Sequence, residues 1–205
     1  MLVAQNITVK HGKKSILANL TFKADIGDFV CITGESGKGK TSLLNVLGFL
    51  DKPVSGIMRV DTISSPTKKQ TMFLQREKFG YIFQNYALIE NETVEKNIKL
   101  ALYHKKDINK KNVIKEALFS VGLENYENKR IYELSGGEQQ RVAFARVIAK
   151  DCSYIFADEP TGNLDKKNRD IVFGLLKDMN HMGKTVIYVT HDEELASQAY
   201  KRLDL

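Results

Sequence analysis

The chain has 205 residues, which is enough for one or two domains with a sizeable buried core. Hydrophobic residues make up 42% of it and charged residues 27%, which excludes collagen-like, disordered and disulfide-scaffold proteins. The net charge of +6 comes from scattered lysine pairs with no interleaved aromatic residues, so we interpret it as a solvated surface and expect no nucleic-acid partner.

The cysteines and the amino-terminal segment indicate a reducing compartment. Cys31 and Cys152 lie within apolar runs, where free thiols behave as small buried hydrophobic groups. Residues 1–10 have no basic segment followed by an apolar one and so predict no secretory signal. No apolar run approaches the ~20 residues that a membrane-spanning helix needs. We therefore expect a soluble cytoplasmic protein.

Short apolar strands alternate with amphipathic helices along the chain. A strand is predicted around 20–24 and another at Phe29–Thr33, followed by a helix over 41–50. The polar stretch 62–71 predicts a loop. Later helices are predicted around 113–121 and 171–179, and later strands at 154–157 and 185–190. This order predicts an α/β fold with a largely parallel sheet, whose ligands bind beyond the carboxyl ends of the strands.

Residues 34–41 read Gly-Glu-Ser-Gly-Lys-Gly-Lys-Thr and match the phosphate-loop pattern G-x-x-x-x-G-K-[ST]. The glycines let successive backbone N–H groups point at phosphate oxygens, and the helix that follows adds its positive end. Lys40 is expected to reach the β- and γ-phosphates, and the Thr41 hydroxyl to hold Mg²⁺. The alternative is a glycine-rich turn without function. The candidate nucleotide-binding residues are Gly34, Glu35, Ser36, Gly37, Lys38, Gly39, Lys40, Thr41 and Ser42.

The apolar run 154–157 ends abruptly in two acids, Asp158 and Glu159. An aspartate at the end of an apolar strand is placed to hold the water shell of a metal ion that Thr41 also binds. Glu159 could orient or deprotonate an attacking water. A strand that meets a solvated turn gives the same pattern, so these acids alone do not define a reaction.

Residues 134–141, Leu-Ser-Gly-Gly-Glu-Gln-Gln-Arg, precede a helix rich in Ala, Val and Ile. Ser135, Gly136 and Gly137 present a second helix start with free backbone N–H groups and a hydroxyl, which suits an anion. One chain has little use for two such arrangements around one triphosphate. A head-to-tail pair of chains can combine them into two composite sites.

With this octet the sequence resembles the ATP-binding subunits of ABC transporters, over about residues 2–196. The octet is similar to the LSGGQ-type signature of that family, with Glu138 at the position often filled by Gln. Gln84 resembles the glutamine of the Q-loop, residues 162–165 resemble the D-loop, and residues 190–192 resemble the switch-histidine motif.

The resemblance implies the P-loop NTPase fold of ABC ATPases: a RecA-like core, an antiparallel β subdomain and an inserted α-helical subdomain. It implies one ATP-binding domain over 1–205, with its core at 1–84 and 151–205 and its helical subdomain at about 85–150.

Stretches 43–48, 50–56 and 76–78 also resemble one branch of the family, the ATPases of macrolide-exporter, lipoprotein-release and antimicrobial-peptide export systems. The membrane partners of that branch typically carry few transmembrane helices. The resemblance therefore implies export of a peptide, a drug or a lipoprotein-like substrate.

The family further implies ATP hydrolysis with Mg²⁺, on the cytoplasmic face of the membrane. The implied partners are a second copy of the chain, in a head-to-tail homodimer around two ATP, and an integral membrane permease that contacts residues 86–89. The implied catalytic residues are Glu159, His191, Lys40 and Gln84; the metal-site residues are Thr41, Gln84 and Asp158; and Asp165 links the two sites.

Two positions depart from the family pattern. His11 stands where the family usually stacks an aromatic residue on adenine, and an imidazole offers less π area than a tyrosine. A solvated loop histidine is the equal alternative. Lys38 stands where the family often has a small residue, and it either adds charge beside the phosphates or points to solvent.

Other functions predict different sequences. A non-transport ABC ATPase that acts on nucleic acid or the ribosome usually has a coiled-coil insertion or two cassettes, whereas this sequence has one cassette and no heptad run between its motifs. A nucleotide kinase explains Lys40 and Asp158 but leaves 134–141 without a purpose. A binding module with an inactive site does not need Glu159 and His191.

Overall fold

The computed structural model describes residues 1–12, 14–106, 108–162 and 164–205. Its parallel strands are β3 (Phe29–Thr33), β6 (Phe79–Ile82), β7 (Tyr154–Asp158), β8 (Thr185–Val189) and β9 (Lys201–Asp204). They form a five-stranded sheet in the order β6-β7-β8-β3-β9. β3 and β8 are buried along their whole length, as in a sheet covered on both faces. The predicted parallel α/β sheet is confirmed.

A second, antiparallel sheet packs beside the first. Its strands are β1 (Leu2–His11), β2 (Lys14–Ala24), β4 (Ser55–Val60) and β5 (Ile63–Ser64), in the order β2-β1-β4-β5. The alternating residues Leu2, Ala4, Ile7 and Val9 of β1 are buried. They share one hydrophobic core with one face of the parallel sheet and with the helix that follows the phosphate loop.

The α-helices are α1 (Lys40–Leu47), α2 (Lys68–Phe73), α3 (Val94–Ala101), α4 (Lys110–Ser120), α5 (Gly136–Lys150), α6 (Lys166–His181) and α7 (Glu193–Ala196). The helices predicted around 41–50, 113–121 and 171–179 and after residues 134–141 are present as α1, α4, α6 and α5, whereas α2, α3 and α7 were not predicted. Helices α3, α4 and α5 fall within residues 85–150, and the boundaries of a helical subdomain there stay a prediction. Within the described parts of the chain, no helix has the length and apolar character to cross a bilayer.

The loop predicted over 62–71 is wrong. The segment contains β5 and the start of α2, whose first turn is closed by Thr67 and Gln70. The Thr67 hydroxyl accepts from the Gln70 N–H, and the Gln70 side chain accepts from the Thr67 N–H at 2.9 Å. This capping box stabilises a helix that buries none of its residues, so no apolar periodicity marks it.

Both cysteines are buried as free thiols, as predicted. Burial raises the pKa of Cys31 and of Cys152 to about 11. Cys152 contributes to a close approach between α5 and β6. A Cβ on Gly80 of β6 would lie 2.5 Å from the Cys152 sulfur and 2.6 Å from a Val147 methyl of α5. Only glycine lets α5 lie directly against the strand that leads to Gln84.

We expect Gly80→Ala to lower the free energy of unfolding by about 1–3 kcal/mol, the usual effect of overpacking a core. Urea denaturation of the purified chain measures it. Gly174→Ala on α6 is the matched control, since nothing lies within 4 Å of a Cβ there. That change should raise stability by roughly 0.5–1 kcal/mol, because alanine is the better helix former. An unchanged stability in Gly80→Ala would contradict the packing argument.

Candidate active site

The side chain of Lys40 is hydrogen-bonded to main-chain carbonyls of the phosphate loop. Lys40 Nζ donates to the Gly34 carbonyl at 2.8 Å and to the Glu35 carbonyl at 3.0 Å. Gly34, Gly37 and Gly39 have φ of 136°, 81° and 95°, a region that favours glycine. The loop therefore depends on its glycines, and it presents the ammonium group at the start of α1.

The end of β7 meets α1 through one hydrogen bond. The Thr41 hydroxyl donates to Asp158 Oδ1 at 3.1 Å. Burial raises the pKa of the Asp158 carboxyl, an effect that the Thr41 hydrogen bond partly offsets and that the neighbouring Glu159 charge increases. A half-buried carboxylate beside a hydroxyl is a set of oxygen donors that suits Mg²⁺. These residues therefore fit the predicted metal.

Glu159 and His191 face each other beyond the ends of β7 and β8. His191 Nδ1 lies 2.9 Å from Glu159 Oε2. Glu159 has φ of 42°, which a residue with a side chain rarely adopts without tertiary support. Its N–H donates to the Val189 carbonyl, and its own carbonyl accepts from the Gly162 N–H, both at 3.1 Å. The Glu159 side chain is 14% exposed and that of His191 72% exposed, so the carboxylate is held more firmly than the imidazole.

Arg169 of α6 anchors the segment that follows His191. Its guanidinium donates to Asp192 at 2.8 Å and to Glu194 at 2.9 Å. The other Asp192 oxygen caps α7 by accepting from the N–H groups of Glu194 and Leu195. No spacing in the sequence marks Arg169, because these partners lie 23 and 25 residues away.

Lys40, Thr41, Glu159 and His191 share one cleft of about 430 Å³ beyond the carboxyl ends of the parallel strands, whereas Asp158 and Arg169 are not among the described residues that line it. It is lined by Ile16, Ser36, Gly37, Gly39, Lys40, Thr41, Ser42, Gln84, Glu159, Val189 and His191. Its volume falls within the ~300–1,000 Å³ of small-molecule sites. The apolar wall formed by Ile16 and Val189 was not predicted, since neither residue belongs to a motif.

Two further predicted residues, His11 and Lys38, are not among the described residues that line the cleft. His11, at the end of β1, has its Nε2 3.2 Å from the Ser42 hydroxyl oxygen. Its stacking on adenine stays a prediction. Lys38 Nζ lies 3.7 Å from Glu35 Oε2, and both side chains are exposed. Lys38 thus pairs with a surface carboxylate and points to solvent.

The segment that resembles a Q-loop, which follows β6, is attached to α5. Gln84 lines the cleft, and the next turn contains Tyr86 and Ala87 at φ of 62° and 49°. Arg146 of α5 donates to the Tyr86 carbonyl at 2.9 Å and to the Ala87 carbonyl at 2.5 Å. This anchor is 60 residues away along the chain and was not predicted.

Ser135, Gly136 and Gly137 begin α5 and are not among the described residues that line the cleft. Ser135 and Gly136 are exposed, whereas Gly137 is buried. A Cβ on Gly137 would lie 2.6 Å from the Asn168 side chain, so the start of α5 packs against the first turn of α6. The candidate site residues thus fall into two separate groups on one chain.

Asp165 caps α6 and also lies outside the cleft lining. Its Oδ1 accepts from the Asn168 N–H at 2.9 Å, and Asn168 Oδ1 accepts from Arg141 of α5 at 3.1 Å. The segment that resembles a D-loop is therefore linked to α5 through Asn168 and Arg141. Asn163 of that motif lies outside the described residues.

Residues 17–162 match the family model of the ABC transporter. The whole chain is 38% identical to the macrolide export ATP-binding/permease protein MacB of Campylobacter jejuni and covers 33% of it. The chain thus spans about a third of the length of that relative. It is 40% identical, again over its whole length, to an ABC transporter ATP-binding protein of Methanocaldococcus jannaschii and covers 95% of it.

Two solved structures share the fold. The dimeric structure of the bacterial ABC transporter cassette MJ0796 has a TM-score of 0.90 and 36% identity, and the match covers 100% of this chain and 94% of that one. A second, dimeric structure of MJ0796 in a post-hydrolysis state, bound to ADP and Pi, has a TM-score of 0.90 and 35% identity with the same coverage. The predicted fold of the ABC ATPases is confirmed, and the chain belongs to the ABC transporter family as one of its ATP-binding cassettes.

Proposed function

We propose that the chain hydrolyses ATP with Mg²⁺ as a head-to-tail homodimer and thereby drives export of a peptide, a drug or a lipoprotein-like substrate. The observation that carries this proposal is the Glu159–His191 pair, which shares one cleft with Lys40 and Thr41. A carboxylate, an imidazole and an ammonium group that line the same cleft as the phosphate loop favour hydrolysis of a nucleotide over nucleotide binding alone.

Phosphoryl transfer depends mainly on positioning and on stabilisation of charge. Lys40 would exchange its two loop carbonyls for phosphate oxygens when ATP enters. Glu159 would hold and polarise the attacking water as general base. His191, bonded to Glu159 and more exposed, would orient that carboxylate and contact the γ-phosphate.

The oxygen atoms of Thr41 and of Asp158, at the end of β7, are the proposed ligands of the metal ion and of its water shell. Mg²⁺ would neutralise negative charge on the β- and γ-phosphates when bound. Thr41 would hold it through its hydroxyl, and Asp158 through the water shell. Gln84 lines the same cleft and would complete the polar wall beside it.

A second copy of the chain would supply a second set of anion-binding groups to the cleft. The exposed Ser135 hydroxyl and the N–H groups of Gly136 and Gly137 form an anion-binding helix start that does not line its own chain's cleft. A two-fold relation would place each start over the partner's nucleotide and make two composite sites, with Asp165 between them. The dimeric structures of MJ0796 support this arrangement.

A groove beside the Q-loop supports a membrane partner. It measures about 620 Å³, and its lining includes Met72, Phe83, Ala87, Leu100 and Arg146. Met72 and Leu100 are large apolar side chains that remain exposed. We propose that an integral membrane permease docks here at the cytoplasmic face of the membrane, next to residues 86–89. The name of the MacB relatives, ATP-binding/permease protein, supports such a pairing.

Glu159→Gln should keep ATP binding but lower the turnover of ATP by at least about 10²-fold, since it removes the general base. Phosphate release and nucleotide binding measure the two effects. The variant should also accumulate as an ATP-bound dimer. Glu116→Gln, at an exposed position of α4, is the control and should hydrolyse at the normal rate. A near-normal rate in Glu159→Gln would show that another group is the base.

Asp158→Asn should weaken the effect of Mg²⁺ on nucleotide affinity, because an amide is a poorer partner for the water shell of the cation than a carboxylate. Titration of ATP with and without Mg²⁺ measures this directly, independently of turnover. Asp178→Asn on the exposed face of α6 is the control. The metal assignment fails if Asp158→Asn responds to Mg²⁺ as the unmodified chain does.

Leu100→Glu should disrupt the permease contact, because it replaces an apolar side chain of the groove, 54% exposed, with a charged one that would have to be buried in the contact. The tagged chain is purified from detergent-solubilised membranes of its own host. We expect an integral membrane protein with few transmembrane helices to copurify, and Leu100→Glu to lose it while the purified chain still hydrolyses ATP. Phe119→Glu, at a 71% exposed position outside the groove, should retain it. Recovery of cytosolic partners only would contradict transport.

A further inference from the structure

The hydroxyl at the start of α5 is already engaged within its own chain. Ser135 Oγ donates to Glu138 Oε2 at 2.8 Å, and the Ser135 N–H donates to the same oxygen at 2.8 Å. The Glu138 N–H in turn donates to Ser135 Oγ at 3.4 Å. A serine hydroxyl has one proton to donate, and here a carboxylate takes it.

Tyr126 holds this carboxylate from its other side. The Tyr126 hydroxyl donates to Glu138 Oε1 at 2.8 Å, and Lys129 Nζ lies 3.4 Å from the centroid of the Tyr126 ring. Burial acts to raise the pKa of the Glu138 carboxyl, but the hydrogen bonds from Ser135 and Tyr126 outweigh it and hold that pKa below its ordinary value. Glu138 is therefore ionised at neutral pH, with both oxygens bonded.

An ionised carboxylate in this position opposes the binding of an anion. The Ser135 hydroxyl has one proton and can donate to a phosphate oxygen only after it leaves Glu138, and leaving a carboxylate costs more than leaving the neutral amide oxygen of a glutamine. The carboxylate also repels a phosphate that approaches the hydroxyl. A glutamine at 138 would still close the capping box but would carry no charge.

We propose that Glu138 and Tyr126 are positioning residues that keep the Ser135 hydroxyl from the nucleotide of a second copy, and so raise the ATP concentration at which two chains associate. This inference rests on the proposed function, in which Ser135 contacts the nucleotide bound to the partner. Glu138 acts through its charge, and Tyr126 acts by keeping that charge in place.

The test measures dimerisation of the full chain by sedimentation, with Mg²⁺ and a non-hydrolysable ATP analogue that removes turnover from the result. Glu138→Gln should lower the analogue concentration at half-maximal dimerisation about fivefold, the ratio expected when a charge-assisted hydrogen bond becomes a neutral one. Tyr126→Phe should lower it less, about twofold, and should add little in a Glu138→Gln background because it acts through Glu138. Glu116→Gln on α4 is the control and should change nothing.

The sign of the effect separates this role from a purely structural one. If Glu138 and Tyr126 only stabilised the start of α5, both variants would lower the melting temperature and weaken dimerisation. Weaker or unchanged dimerisation in Glu138→Gln, in a chain that otherwise dimerises with the analogue, overturns the inference and leaves the proposed function intact. If neither the unmodified chain nor Glu138→Gln dimerises, both fail.

Discussion

The site depends on the register of three parallel strands. Val189 of β8 pairs with Ile32 of β3 on one side and with Asp158 of β7 on the other. Three segments that are far apart in sequence therefore leave the sheet at one level, and each continues directly into its chemistry. The phosphate loop follows β3, Glu159 follows β7 and His191 follows β8. A slip of one residue in either pairing would reverse the side chains at the strand end and separate these groups.

Helix α5 is hydrogen-bonded to the turn that follows β7, to the segment that contains Gln84 and to the strand before that segment. Its first turn carries Ser135, and Gln140 donates to the Pro160 carbonyl at 2.7 Å, just beyond the acidic turn. Arg146 holds the Q-loop, and Lys150 at the far end donates to the carbonyls of Gln75 and Phe79 at 2.6 Å. In the proposed function, a helix fixed at both ends would transmit a small shift at the nucleotide to the groove, since packed elements move as units.

The sequence predicts the parts of the site whose residues are close together along the chain. The phosphate loop and the signature are recognisable because their chemistry requires a fixed spacing, and the buried strands because they are continuous apolar runs. Helix α2 was not predicted, since it buries no residue and only Thr67 and Gln70 mark its start in the sequence. The roles of Arg169 and Arg146 could not be predicted either, because their hydrogen-bond partners are distant in sequence and come close only in the folded chain.

At the start of α5, the groups that stabilise the free chain are the ones that we propose bind the partner's nucleotide. A helix start without a ligand needs acceptors for its N–H groups, and an acidic side chain there also favours the helix dipole. In the free chain Ser135 Oγ accepts from the Glu138 N–H, and the Glu138 carboxylate accepts from the Ser135 N–H and from the Ser135 hydroxyl, the group that an incoming phosphate would use. The hydrogen bond that occupies the Ser135 hydroxyl therefore competes with an incoming phosphate oxygen. The residue at 138 sets this balance, and a carboxylate favours the separated chains.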